Sequence, residues 1–413
     1  FPEDDKLHKL FENTFLNTYQ TTLQENDDDK TFVITGDIPA MWLRDSSAQV
    51  RPYLLAADDP EIEKMLAGVI KQQIEFIHLD PYANAFNKEA NGQGFQSDVT
   101  DMHPQIWERK YEIDSLCYPI QLGYLLWKQT GKSDHLDQSF KEAVQKIIDV
   151  WKTEQNHEED SPYTFQRLNV RQSDTLIRNG KGSKCKYTGM TWSAVRPSDD
   201  ACLYGYLVPS NMFATVVLEY VNEMCDEIWK DEALKQASTS LRSEIIDGIK
   251  NYAIVDHPYY GEIYSYEVDG YGNRMMMDDA NVPSLLSAPY LGFCAPDDET
   301  YLNTRKFLLT RENPFYYEGT HAKGIGSPHT PDHYIWHIAL SMQGLTATTE
   351  EEKLEILEVI KSTDGGTGYL HEGFNASNPN EFTRDWFAWS NSLFSEFVLD
   401  LCGEKIKGSP LTK

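Results

Sequence analysis

Helical periodicity, repeated along almost the whole chain, is the feature that most limits what this sequence can fold into. Leu7, Leu10, Phe11, Phe15, Tyr19 and Leu23 recur at the three- and four-residue spacing that lines one face of a helix. The same pattern predicts helices over 61–78, 114–131, 137–154, 211–230, 233–253, 331–345, 349–362 and 388–402. Asp114, Ser210 and Thr349 stand where a side chain can cap a helix start, and Pro331 is suited to a first helical position. The run "TGKS" after Lys128 reads as a helix stop. Strand signals are few and short, over 31–36 and over 263–273, the latter with a hairpin-like Asp-Gly.

Between the helices lie long segments rich in Gly, Asn, Asp, His and aromatic residues, over 79–113, 155–210, 255–290, 312–332 and 364–388. Loops of this length inside a compact domain are functional or disordered, and their Trp, Tyr and Phe content argues against disorder. No low-complexity linker or composition break divides the chain, so residues 1–413 read as one domain. Helices that pair and return in this way close into a ring of helical hairpins with the loops gathered over one end. The expected fold is therefore all-α, an (α/α)6 barrel with its active-site loops at one end.

Charge narrows the ligand. The chain carries 37 Lys+Arg against 65 Asp+Glu, a formal charge of −28. Such a surface repels nucleic-acid phosphates and anionic membranes, so a neutral partner is expected, with neither nucleic acid nor membrane. Aromatics reach 12% of the chain, more than a core of this size requires, and spare rings can serve as stacking faces for sugars. The six cysteines are scattered without a C-x-x-C pair, which removes zinc ribbons and thioredoxin-type motifs and suits reduced thiols. No apolar run is long enough to cross a membrane and no signal peptide precedes Phe1, so a cytoplasmic protein is expected; the chain starts with Phe, which fits removal of a preceding segment.

Five constellations can carry chemistry. Trp42, Arg44 and Asp45 lie just ahead of a helix that Asp45 or Ser46 can cap, and a guanidinium beside a carboxylate matches the paired donors and acceptors of a sugar diol. A cap with a salt bridge explains the same residues. Trp107, Glu108 and Arg109 end a polar loop before Asp114, where a structural ion pair is the plainer reading. Asp199 and Asp200 follow Ser198, a good N-cap. Placed in a first helical turn, both would be held ionised, whereas a general acid needs desolvation or a second carboxylate to keep its proton. One can be structural and the other can face a pocket, and spacing leaves their roles open. His329, His333 and His337 fall four residues apart and invite a metal, but Pro331 should start the helix after His329, so hydrogen-bonding or buried histidines are the better reading. His371 and Glu372 follow a glycine-rich turn and precede Arg384-Asp385-Trp386-Phe387; the zinc-protease and P-loop patterns are both incomplete here.

The motifs "TGDIPAMWLRDSSAQ", "WERKYEIDSLCYPI", "GMTWSAVRPSDDACLYGYLVPSNMF", "MMDDANVPSLL", "GIGSPHT" and "HEGFN…FTRDWFAWSNSLF" run in order from about residue 34 to residue 397. Together they resemble glycoside hydrolase family 125, exo-α-1,6-mannosidases. The resemblance implies an (α/α)6 barrel that removes non-reducing terminal α-1,6-linked mannose from N-glycan or mannan fragments with inversion and with no metal or other cofactor. It further implies Asp199, or failing it Asp200, as general acid and Glu372 as general base, with Arg44, Asp45, Asn281, His329 and Trp386 holding the terminal mannose. The competing readings are an inverting glycoside phosphorylase or other α-glycosidase on the same scaffold, a terpene-cyclase-like helical toroid and a non-catalytic sugar-binding protein. The glutamate of "HEGF" stands against the phosphorylase, the lack of a repeated D-x-x-D run against the cyclase, and the presence of both carboxylates against a dead site.

Overall fold

The computed structural model describes residues 3–25 and 28–412. Twelve helices carry the architecture among the described residues: α1 (Asp5–Thr21), α2 (Leu43–Val50), α3 (Pro60–Leu79), α4 (Ile113–Thr130), α5 (Gln138–Gln155), α6 (Val208–Met224), α7 (Glu232–Gly248), α8 (Ala288–Leu291), α9 (Glu299–Leu308), α10 (His337–Leu345), α11 (Glu350–Ser362) and α12 (Ala388–Leu401). Two one-turn helices, His157–Asp160 and Ile177–Gly180, lie in the long loop before α6.

The helices alternate between two walls of an (α/α)6 barrel. The even-numbered ones form the inner wall. Helix α2 packs on α4, α4 on α6, α6 on α8 and α10 on α12, and α12 returns to α2. Every residue of α2 is buried, as are all of Ala388–Val398 in α12, which is what a helix apolar or close-packed on all sides requires. The odd-numbered helices are amphipathic and form the outer wall. Helix α7, for example, buries only Leu234, Ser238, Leu241, Ile245 and Gly248, a single stripe. The last inner helix also packs on α1, so the two ends of the described chain meet at one seam.

The two walls begin their helices differently. Each outer helix has a side-chain cap: Asp4, Asp59, Asp137, Asp231, Asp298 and Thr349 each accept a first-turn N–H. The inner helices have none; their N-cap residues are Trp42, Glu112, Leu207, Ser287, Trp336 and Phe387. Several enter instead from short strands in small antiparallel sheets. Met41–Trp42 pairs with Ala85–Phe86 ahead of α2, and Tyr334–Trp336 pairs with Gly373–Asn375 ahead of α10.

This explains where the expected boundaries fail. The helix predicted over 331–345 begins only at His337, because Tyr334–Trp336 are held extended by their partner strand. Asp114 and Ser210 are not caps but lie inside the first turns of α4 and α6, and Asp45 and Ser46 lie inside α2. Helix α9 went unpredicted, although Asp298 caps it. The caps at Thr349 and the stop at Gly131, which adopts φ 74°, are as expected. All six cysteines are free thiols. No helix among the described residues is long and apolar enough to cross a membrane.

Candidate active site

The segments that lead into the inner helices converge at one end of the barrel on a small pocket. Thr35, Ile38, Trp42, Arg44 and Asp45 come from the entry to α2, Asp199 from the loop before α6 and Asn281 from the loop before α8. His329 and Trp336 precede α10, while Glu372, Arg384, Phe387 and Trp389 surround the start of α12. The N-terminal ends of the inner helices face this end, so their dipoles favour negative charge here.

Asp199 and Asp200 do not sit in a helix, contrary to the capping expectation at Ser198. They occupy a tight reversal in which Val195 bridges Ala201 and the Asp199 N–H donates to the Arg196 carbonyl at 2.9 Å. Asp199 takes φ 67°, a left-handed conformation that costs a non-glycine residue about 1–2 kcal/mol. The kink separates the two side chains. Asp199 lines the pocket. Asp200 is buried and its Oδ1 lies 3.0 Å from Nδ1 of His329. That contact, with the neighbouring carboxylates Glu372 and Asp199, raises the His329 pKa against the opposing effect of burial, so the ring favours its cationic form.

Arg44 organises the acidic floor. Its Nη2 lies 3.4 Å from Asp199 Oδ1, its Nη1 reaches Glu112 Oε2 at 2.5 Å and Asp114 Oδ2 at 3.4 Å, and its Nε lies 3.3 Å from Asp45 Oδ1. Lys110 adds a second cation, donating to the Asp199 carbonyl at 2.9 Å. Four buried or half-buried carboxyls around one guanidinium cannot all ionise cheaply. Burial drives Asp45 and Asp114 each up to about 6 and pushes Glu112 well above the carboxylate range. Asp199 is the exception: burial would raise it, but Arg44 and Lys110 outweigh that and hold it below its ordinary value.

Across the pocket, Glu372 stands just before the strand Gly373–Asn375, with the Arg384 guanidinium 3.6 Å from its Oε1. Two buried donors of lining residues, Trp42 Nε1 and Asn281 Nδ2, have no hydrogen-bond partner within the protein. Buried polar groups are nearly always paired, so these donors call for a ligand that supplies acceptors. A polyhydroxylated ring does so, with Trp389, Trp336 and Phe387 as apolar faces.

Of the residues expected at the site, Asp199, Glu372, Arg44, Asp45, Asn281 and His329 all line the pocket. Trp386 does not. Its ring lies against Gly36, so close that a Cβ there would come within 2.6 Å of it, and Phe387 and Trp389 take the pocket positions. The three spaced histidines diverge. His333 is exposed, whereas His337 is buried with Nδ1 and Nε2 near the His371 carbonyl and Thr363, and burial lowers its pKa to about 3. No group of three or more His, Cys, Asp or Glu among the described residues is placed to hold a metal. Glu108 and Arg109 have structural roles: Arg109 pairs with Asp80 at 2.6 Å and Glu108 with Arg167 at 2.8 Å. Residue-level reading missed Glu112, which nothing in its local sequence distinguishes from an ordinary helix-preceding glutamate.

Comparison with known proteins is consistent over the whole chain. The family described as metal-independent alpha-mannosidase (GH125) matches residues 4–399. The meiotically up-regulated gene 157 protein of Schizosaccharomyces pombe is 39% identical across 98% of this chain and 84% of its own length. A Streptococcus pneumoniae metal-independent alpha-mannosidase, solved as a non-productive complex with alpha-1,6-mannobiose, is 48% identical with a TM-score of 0.96, covering 98% of this chain and 96% of its own. A bacterial glucoamylase solved with acarbose shares the fold alone, at 11% identity and a TM-score of 0.62 over 98% of this chain and 58% of its own.

Proposed function

The chain belongs to the metal-independent alpha-mannosidase family GH125, and on that premise we propose that it is an exo-acting glycosidase that releases terminal α-1,6-linked mannose with inversion of configuration. Asp199 is the general acid and Glu372 the general base in this reading. Its main support is that these two carboxyls, 173 positions apart in the sequence, face one pocket from separate loops.

An inverting glycosidase protonates the leaving oxygen with one carboxyl and activates a water on the opposite face of the ring with the other. Here Glu372, beside Arg384, would take the proton of that water as its oxygen attacks C1. Asp199 would deliver a proton to the glycosidic oxygen as the C1–O bond breaks. Arg44, Asp45, Asn281 and His329 would hold the hydroxyls of the terminal mannose, and the positive charge of an oxocarbenium-like transition state suits the acidic floor. A small pocket at one end of the barrel fits cleavage from a chain end, and the pneumococcal relative's complex with alpha-1,6-mannobiose supports that linkage.

A second reading rests on Asp45, whose carboxyl faces the same pocket and is raised to about 6, the range of a working acid. If Asp45 were the donor, Asp45→Asn would lose mannobiose hydrolysis but keep activity on an aryl mannoside with an acidic leaving group. The principal test is proton NMR of the first-formed sugar from α-1,6-mannobiose. β-Mannose is the expected product. Initial α-mannose would rule out inversion, and no hydrolysis would rule out the substrate.

A further inference from the structure

Asp199 keeps a left-handed backbone, and a strained conformation of that kind persists only where its surroundings fix it. The fixing groups here are Asn84 and Lys110. Asn84 is fully buried and does not line the pocket. It stands just ahead of the strand Ala85–Phe86, which pairs with Ile106–Glu108. Every polar atom of its side chain is used. Its Oδ1 accepts the Lys110 N–H at 3.1 Å, which settles the orientation of the amide. Its Nδ2 then donates to Glu108 Oε1 at 2.9 Å and to Asp199 Oδ1 at 3.3 Å. Lys110 takes hold of the same aspartate from the other side: its buried Nζ donates to the Asp199 carbonyl at 2.9 Å and pairs with Asp174. One neighbour therefore holds the backbone of Asp199 and the other its carboxyl. Arg44 Nη2 reaches Asp199 Oδ1 as well, at 3.4 Å. Two N–H groups on Oδ1 keep that oxygen an acceptor and leave Oδ2 to carry a proton.

We propose that Asn84 is a positioning residue for the acid: it fixes the Asp199 carboxyl by Oδ1, so that the proton rides on Oδ2 and is delivered from there to the glycosidic oxygen. Asn84 touches no sugar and acts through Asp199 alone. One proton is moved in the step. The C1–O bond breaks, the leaving oxygen gains the Oδ2 proton, and Asp199 is left as a carboxylate that takes a proton from solvent before the next turnover. Glu372 takes a proton from the attacking water and returns it to solvent. The segment Trp107–Lys110, whose Glu108 and Arg109 make structural ion pairs, thereby reaches the chemistry through Asn84 and Lys110. The inference rests on the reading of Asp199 as the acid.

Asn84→Ala removes the donor to Asp199 without changing the pocket lining. It is to be compared with the wild type, with Asp199→Asn and with the double variant, on α-1,6-mannobiose and on 2,4-dinitrophenyl α-mannoside, whose leaving group departs without protonation. The expected result is a fall in kcat on mannobiose of about 100-fold, with KM little changed and a much smaller loss on the aryl substrate. The basic limb of the mannobiose pH profile should move to higher pH, because a carboxylate that has lost an N–H donor holds a proton more readily. In the Asp199→Asn background the same change should cost nothing further on mannobiose. Equal losses on both substrates, an unmoved basic limb, or an additive loss in the double variant would each overturn the inference. Discrimination between the substrates by Asp199→Asn but not by Asn84→Ala would remove the positioning role alone. Failure of Asp199→Asn to discriminate would instead remove the acid assignment beneath it. Asn84→Ser, whose hydroxyl stays beside the Lys110 N–H but falls short of Asp199, is read by the same criteria and replaces the alanine variant if that one does not fold.

Discussion

Asp199 and Asp200 are neighbours in the chain but serve different surroundings: Asp199 faces the pocket beside Arg44, whereas Asp200 is turned back onto His329 at 3.0 Å. The left-handed backbone at Asp199 makes this possible. Sequence spacing could not have assigned the two, because a helical turn would have exposed both to the same dipole.

The first prediction separates them. Asp199→Asn should lower kcat on α-1,6-mannobiose by about 10²–10⁴-fold while largely sparing dinitrophenyl α-mannoside. Asp200→Asn should act through His329. Without its anion the imidazole loses its proton at a lower pH, so the rise of KM with pH should begin earlier. Steady-state kinetics across pH would show either pattern, and a wild-type profile for Asp199→Asn would remove it from the mechanism.

Glu372→Gln should behave differently from Asp199→Asn. Activation of water is needed whatever the leaving group, so both substrates should lose about 10²-fold or more. Retained turnover of the aryl substrate would show that Glu372 is not the base.

Stability should fall as pH rises from about 4 to about 7. Asp278 is buried, accepts the N–H groups of Leu285 and Leu286, and is raised by burial to about 7; Asp45 and Asp114 are raised to about 6. A carboxyl whose folded pKa exceeds its unfolded one contributes stability at low pH and loses it as pH climbs through the folded value. His337, lowered to about 3, has the opposite slope, but only below its ordinary value of 6.5. Thermal midpoints should therefore decline between about pH 4 and pH 7 and level off above that, and Asp278→Asn should flatten the decline. An unchanged slope in the variant would exclude Asp278 as a source.

Close approach of the inner helices makes a fourth prediction. A Cβ on Gly344 in α10 would lie 2.4 Å from the Phe397 ring in α12. Gly344→Ala should destabilise the fold by about 1–3 kcal/mol, visible in chemical denaturation, with KM for mannobiose unchanged because the contact is remote from the pocket residues.

Much of this was legible in the chain. The periodicity located the long helices, and motif positions drew attention to six of the seven pocket residues named from sequence. Trp386 lies outside the pocket lining, one and three positions from Phe387 and Trp389: periodicity cannot say which of the three turns inward when a loop becomes a helix. The start of α10 failed because a strand partner forty residues downstream, Phe374 opposite Ile335, overrides the proline signal. Glu112 was invisible because its place in the site comes from its ion pair with Arg44, distant in sequence. Of the outer-helix caps, Thr349 alone entered the reading of the sequence. Asp298 followed by the pattern of Tyr301, Thr304, Phe307 and Leu308 marks α9 plainly once capping is given weight.

The difference between capped outer helices and uncapped inner ones divides the molecule into frame and tool. The frame carries its own start instructions, a single aspartate or threonine at each outer helix, and these are independent of what the pocket binds. The inner helices take their starts from the loops that also supply the acids, cations and rings. Exchange of those loops can therefore change chemistry while the frame keeps folding by local rules. On this view the barrel, whose fold a glucoamylase shares at 11% identity, serves as a frame, and the pocket's lining comes from the segments around the starts of the inner helices.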